Sequence, residues 1–381
     1  MRVIQGGSSA AAGAPQAQFG VIDLLKAGAA QLIVLHHLAF YGPMADRARP
    51  LAPGLVGWLG DEARMAVQVF LVIGGFLAAK SLCPDGRPGP GAPVGAIWRR
   101  YLKLAPPFMA AMFLAAGASL LAGMWMTHDS ISAPPGLAQV VAHALLLHDV
   151  LGYGALSAGA WYVAIDFQLY ALMSLLLWAC GRLAGGRPLS WLAPAAVTAG
   201  VAASLLYFNL DADWDVWAPY FLGSYGMGAL AWWASNPSRR PRGVAVLLCM
   251  MALPALLSLM LDFRERVMLA FTVACALFLF GRVRTPAAAH RFWALAGGMG
   301  RISYSVFLVH FPVCLVVNAA FTRFAPHGAH WQAAGAVFAW AASLAVGAAF
   351  FRWVELPIGR VLARWLGRRP ANAGMPELEP R

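Results

Sequence analysis

The sequence predicts an all-α, polytopic integral membrane protein with about ten transmembrane helices and both termini in the cytoplasm. Three observations carry that reading. Of 381 residues, 60% are hydrophobic and only 12% charged, against about a quarter charged in a soluble domain. Apolar runs near 20 residues long, enough to cross a bilayer as a helix, recur from residue 20 to residue 353. Finally, the basic residues alternate between connections. With the N-terminus inside, only Arg47, Arg49, Arg64, Arg264, Arg266 and Arg323 fall outside, leaving 22 of the 28 Lys and Arg inside. That is the bias that orients membrane helices, and it requires an even number of spans.

The spans lie at about 20–42, 64–83, 103–124, 162–182, 190–209, 217–234, 243–261, 265–281, 301–321 and 332–353. Residues 136–149, with His143 and His148, are too short to cross and suit a re-entrant or interfacial segment. Residues 1–19 have no apolar core before a cleavage site and read as a flexible cytoplasmic tail. Residues 361–381 read as a cytoplasmic C-terminal tail. The Pro/Gly-rich stretch Cys83–Pro93 is a cytoplasmic loop. No connection is long enough for a second domain, so residues 20–360 form one membrane domain.

This layout accounts for the net charge of +12, which is spread over cytoplasmic loops rather than gathered for nucleic acid. The five cysteines lie in or beside spans with no CxxC spacing, so neither a disulfide framework nor a metal site is expected.

Ionisable residues at membrane depth are costly and point to function. The first span holds Lys26 and His37, eleven residues and so about three turns apart, on one face and about 16 Å along the axis. His36 falls off that face. The second span carries Gly74 and Gly75 midway, which permit close approach of a backbone or a ligand. Arg99, Arg100 and Lys103 open the third span as a cluster suited to phosphates, or to orientation and lipid headgroups. Asp166 lies about 7–8 Å below Trp161 on its helix, level with His37. The two could form a base and its orienting partner, or Asp166 could be a structural partner or face an aqueous vestibule. Ser303 and His310 share a face of the ninth span, where His310 suits an interhelical hydrogen bond. Glu355 stands at the inner boundary.

In this order these residues resemble the acyltransferase 3 family of membrane acyltransferases, many of which O-acetylate surface glycans. The family's Arg, ten residues, then His is similar to Lys26 and His37. Its Ser-Gly-Phe resembles Gly74-Gly75-Phe76, and its arginines and proline resemble Arg99, Arg100, Lys103 and Pro106. Trp161, Tyr162, Asp166 and Tyr170 match a Trp-Tyr motif followed by a glutamate and aromatics. Ser303, Tyr304, Ser305, Leu308 and His310, then Glu355 and Pro357, complete the series. Lys replaces Arg at 26 and 103, keeping the charge but not the bidentate fork, and Asp replaces Glu at 166.

The resemblance implies an O-acyltransferase in the plasma (cell inner) membrane. It would move an acyl group, acetyl first, from cytosolic acetyl-CoA to a hydroxyl of an extracytoplasmic polysaccharide or glycolipid. It implies membrane lipids, acyl-CoA and a hydroxyl acceptor as partners, and no metal. His37 and Asp166 would be catalytic, while Lys26, Arg99, Arg100, Lys103, Gly74, Gly75, Tyr304 and His310 would bind or surround the donor. Direct transfer and a covalent acyl-His37 relay both fit the residues. The rival class is a proton-coupled transporter or flippase using Lys26, His37 and Asp166. Topology is directly testable: tags at residues 130 and 212 are expected to report outside and tags at 90 and 240 inside, and any reversed tag breaks the ten-span plan.

Overall fold

The computed structural model describes residues 20–87, 91–185, 187, 189–283 and 291–365. The expected tail 1–19, and residues 366–381 of the expected tail 361–381, lie outside the described residues. The helices are Gly20–Phe40 (α1), Pro43–Ala48 (α2), Pro53–Asp61 (α3), Val67–Leu82 (α4), Val94–Gly123 (α5), Leu137–Ala144 (α6) and Ala160–Ala184 (α7). They continue as Leu192–Leu206 (α8), Ala218–Ala234 (α9), Pro241–Leu261 (α10), Glu265–Phe280 (α11), Arg291–Phe324 (α12), Ala329–Phe350 (α13) and Leu356–Trp365 (α14). No strand occurs among the described residues.

All ten expected spans are helical, and eight helical segments are long and apolar enough to cross a membrane. The other two, α9 and α11, have 17 and 16 residues. At 1.5 Å per residue α9 is only about 25 Å long. It lies at the centre, buried from Tyr220 through Ala234, with α4, α7, α8, α10 and α11 packed around it. A helix that meets protein on every side needs no lipid-matched length.

Small residues set how closely α4 and α9 approach. A Cβ at Gly75 would sit 1.7 Å from the Tyr225 carbonyl oxygen, and one at Gly228 would sit 1.9 Å from that of Val72. The two backbones therefore touch at glycines, as small residues allow between membrane helices. Either side of this crossing, Gln68 Oε1 accepts from Ser224 Oγ at 2.6 Å and Cys83 O accepts from Trp233 Nε1 at 2.7 Å. The helices are thus parallel and pinned at both ends.

α1 and α12 also run side by side. The backbone at Gly300 abuts Asp23, His37 meets His310, and Asn318 Nδ2 donates to Tyr41 O at 3.1 Å. The end of the bundle where α1 starts is called proximal below, and the end where it finishes distal. Helix α5 begins at Val94, nine residues before the expected start of its span, so Arg99, Arg100 and Lys103 are all helical. The last helix continues through a wide turn at Phe351–Glu355 into α14 and ends at Trp365, beyond the expected boundary at 360. The short helix α6 folds back on α5, with Tyr101 Oη donating to Ala144 O at 2.8 Å.

The glycine crossing generates a stability prediction. Gly75→Ala or Gly228→Ala should each cost about 1–3 kcal/mol through overpacking and lower the melting temperature of detergent-purified protein. Gly117→Ala, where a Cβ would meet nothing within 4 Å, should leave it unchanged.

Candidate active site

A cavity of about 1110 Å³ opens among α1, α4, α5, α7, α12 and α14, at the large end of the range for small-ligand sites. Its proximal part is basic. Lys26, Lys103, Arg301, Arg360 and Arg364 line it, with Asp23 and Glu355 as the acidic neighbours there. Its far wall is formed by Phe70, Tyr162 and Phe307, whose rings lie 5.2–6.2 Å apart.

Local sequence explains the wall chemistry. Pro106 and Pro107 lie inside α5 and cannot donate to the carbonyls of Leu102 and Lys103, two cavity-lining residues. One residue on, Tyr304 Oη donates to Leu104 O at 3.1 Å, tying α12 to α5. At the other side the backbone widens into a π-type turn at Phe351–Glu355. Pro357 follows, lacking an N–H and clashing with the carbonyl four residues back, a setting in which π-bulges arise. This turn presents Glu355, whose Oε2 accepts from Ser305 Oγ at 2.5 Å. It also directs Arg360 and Arg364 of α14 to the cavity.

The expected charged cluster divides. Arg100 enters the cavity wall, but its Nη2 is 2.5 Å from Asp166 Oδ2 and its guanidinium lies 5.2 Å from the Tyr170 ring centre. Lys103 lines the cavity, whereas Arg99 is exposed and outside the lining. The glycines divide too. Gly74 lines the cavity, where a Cβ would lie 3.0 Å from the Tyr225 ring and 3.5 Å from Asp166 Oδ1. Gly75 serves the α4–α9 contact, so its expected place among the donor-binding residues is corrected.

The pairing of His37 with Asp166 is corrected as well. The two helices do bring their ionisable groups deep into the bundle, but α4 packs against both α1 and α7, and each group finds another partner. Asp166 takes Arg100. His37 Nδ1 lies 2.6 Å from His310 Nε2, with the rings within 4° of parallel. Neither histidine lines the cavity, so His310 is a partner of His37 rather than a donor-binding residue. Phe307 stands between, its ring 5.2 Å from Tyr162 and 5.9 Å from His310. His36 turns away as expected, its Nδ1 3.0 Å from Leu59 O.

Proton positions in the histidine pair follow from the acceptors. His310 Nδ1 is 2.7 Å from Phe307 O and 3.2 Å from Val306 O. A carbonyl only accepts, so His310 Nδ1 carries the proton and its Nε2 is a lone pair in the neutral ring. His37 Nδ1 must then donate, which leaves His37 Nε2 as the free lone pair. Taken as whole residues, His37 is 8% exposed and His310 0%. A base oriented by a second imidazole is the result.

Phe70, Phe307, Arg360 and Arg364 were not singled out from the sequence. Arg360 and Arg364 had a signal, an i,i+4 basic pair after Glu-x-Pro, but lay where charges also orient the chain.

A solved structure matching the chain was not found. The regulator of hypoxia-inducible factor 1 of Caenorhabditis elegans is 26% identical over 168 residues, which is 41% of this chain. The match spans only 34% of that relative's length. The profile of a family described as an acyltransferase domain matches residues 19–352. That range takes in the cavity from Asp23 to Phe307, the histidine pair and all but the last turns of the bundle, and the chain belongs to the acyltransferase 3 family of membrane proteins.

Proposed function

We propose that the protein is an O-acyltransferase that moves an acetyl group from cytosolic acetyl-CoA to a hydroxyl beyond the plasma membrane, on a surface or exported polysaccharide or glycolipid. The observation that carries this reading is the lone pair of His37 Nε2, set by the relay from the Phe307 carbonyl through His310. The charge bias of the loops supports a cytoplasmic proximal end, and on that orientation the basic cavity would open toward the donor.

The cavity suits a donor with several phosphates on a long, less polar arm. Lys26, Lys103, Arg301, Arg360 and Arg364 supply positive charge at its mouth, and Gly74 leaves room deeper in. Arg100 has its charge matched by Asp166 and serves the wall. When bound, the donor supplies an activated thioester carbonyl. His37 Nε2 takes the acceptor hydroxyl's proton, while His310 Nε2 holds the His37 Nδ1–H and stabilises the resulting imidazolium. The aromatic wall of Phe70, Tyr162 and Phe307 keeps water from the thioester.

In membranes supplied with radiolabelled acetyl-CoA, His37→Ala should lower acetyl transfer by at least about 100-fold while inserting normally. His310→Ala should lower it at least about tenfold, and His310→Gln, whose amide oxygen can accept from His37 Nδ1, should recover part of that loss. Unchanged transfer by His37→Ala would sink the assignment. A transporter, by contrast, would leave acetyl-CoA intact.

The mouth of the cavity yields a separate kinetic expectation. Replacing both Arg360 and Arg364 by alanine should raise KM for acetyl-CoA about tenfold, with kcat within about twofold. A loss confined to kcat would remove them from donor binding.

A further inference from the structure

The large cavity stops short of the histidine pair. Phe307 lines it, whereas His37 and His310 do not. Acyl transfer at His37 Nε2 needs the thioester carbon within about 3–3.5 Å of the attacking oxygen, so whatever closes the inner end stands in its way. Three rings close that end. Tyr162 is backed by Trp161, 6.1 Å away, which faces a separate distal pocket of about 670 Å³. Phe70 lies beside Tyr162 and Phe307, with ring centres 6.0 and 6.2 Å away. Phe307 is the ring backed by the histidines. Its centre is 5.9 Å from that of His310, which stacks on His37 at 4.9 Å.

Packing holds the Phe307 ring in this place. The residue is 5% exposed, and its ring edge rests on Gly159, just before α7. A Cβ at Gly159 would sit 3.1 Å from two ring carbons, so the missing side chain there is what makes room for the ring. The backbone of Phe307 has a separate task, since its carbonyl accepts from His310 Nδ1 at 2.7 Å. A substitution at 307 keeps that carbonyl and the proton placement that follows from it. Rotation of the side chain moves the ring without moving α12. In a close-packed interior the cost of that movement rises with the bulk that must pass.

We propose that Phe307 is the specificity-determining residue for the acyl group, a steric gate between the donor cavity and His37 that passes acetyl and rejects longer straight chains. The proposal rests on the acyl-transfer reading above and deepens it. In the transfer the bond from the carbonyl carbon to sulfur breaks and one to the acceptor oxygen forms, while the hydroxyl's proton passes by way of His37 to the thiolate. Only the acyl group has to pass the ring. The phosphates stay among Lys26, Lys103, Arg301, Arg360 and Arg364 whatever the chain length, so the gate acts on transfer and not on donor capture. Each methylene excluded from a close-fitting apolar site is worth about tenfold or more in discrimination.

The test compares acetyl-CoA with butyryl-CoA, two methylenes longer, in membranes holding wild type, Phe307→Leu or Phe307→Ala. Wild type should transfer acetyl at least about 100-fold better than butyryl. The butyryl-to-acetyl ratio should rise at least about tenfold in Phe307→Ala and by a smaller factor in Phe307→Leu. KM for acetyl-CoA should stay within about twofold in both. The ratio is read within one protein, so a general loss of folded enzyme cancels. Phe307→Leu carries the test should Phe307→Ala fail to insert. A ratio that neither substitution changes overturns the gate, as does a wild type that transfers both acyl groups equally. Parallel loss of both transfers in Phe307→Leu also overturns it, because the ring would then be structural only. A wild type that consumes neither thioester would instead overturn the acyl-transfer reading itself.

Discussion

A guanidinium and a carboxylate buried among apolar helices cannot stand apart, and the Arg100–Asp166 pair meets that constraint between α5 and α7. Each charge alone would cost several kcal/mol in desolvation, so the pair fixes which faces of the two helices meet. The consequences reach the site. Asp166 is drawn beside Gly74 and away from any imidazole, which leaves the second histidine as the partner available to His37. With Arg100 neutralised, the cationic character of the cavity falls to Lys26, Lys103, Arg301 and the two arginines of α14. Lysine in place of arginine at 26 and 103 suits that setting. For the proposed donor, a broad vestibule around several phosphates would need point charges more than a rigid fork.

The helices were legible because hydropathy and loop charge are properties of contiguous sequence. Lys26, Gly74, Arg100, Lys103 and Asp166 could be singled out for a related reason, since their cost or permissiveness at membrane depth is local, and Tyr304 through the family resemblance; all six line the cavity. Partnership was not legible. Asp166 and His37 were matched by depth along their helices, but neighbours are decided by packing. Here the close approach of Gly75 to Tyr225 and of Gly228 to Val72 draws α9 onto α4, and α4 packs on both α1 and α7. Gly75 itself shows the limit, since a glycine that admits a backbone and one that admits a ligand look alike in sequence. Arg360 and Arg364 escaped for a different reason. Basic residues at a helix end normally report orientation, and only the wide turn before Leu356 shows that this pair is brought over the cavity.

The histidine pair also shows how much chemistry a backbone can specify. Two carbonyls of α12 decide the proton on His310, that proton decides the one on His37, and the series ends on the lone pair of His37 Nε2. No carboxylate is needed to set the tautomer, because a carbonyl acceptor serves as well. Pro312, two residues beyond His310 inside α12, loosens the hydrogen-bond ladder at this level of the helix.

The partition made by Phe70, Tyr162, Phe307 and Trp161 has an electrical meaning. Aqueous spaces that reach inward from both faces shorten the insulating part of a membrane to what lies between them. In the proposed orientation, with the large cavity reaching inward as far as this wall, a larger share of the transmembrane voltage would fall across the aromatic layer and what lies beyond it. A full crossing of one elementary charge is worth about 2.3 kcal/mol per 100 mV. In the proposed reaction the C–S bond breaks to leave a thiolate on the inner side, while the acyl group replaces a proton on the outer oxygen. The outward acyl transfer and the inward return of that proton therefore carry opposite charge displacements. With that proton returned to the thiolate, the proposed transfer moves no net charge across the membrane, and the voltage would neither drive nor oppose it overall.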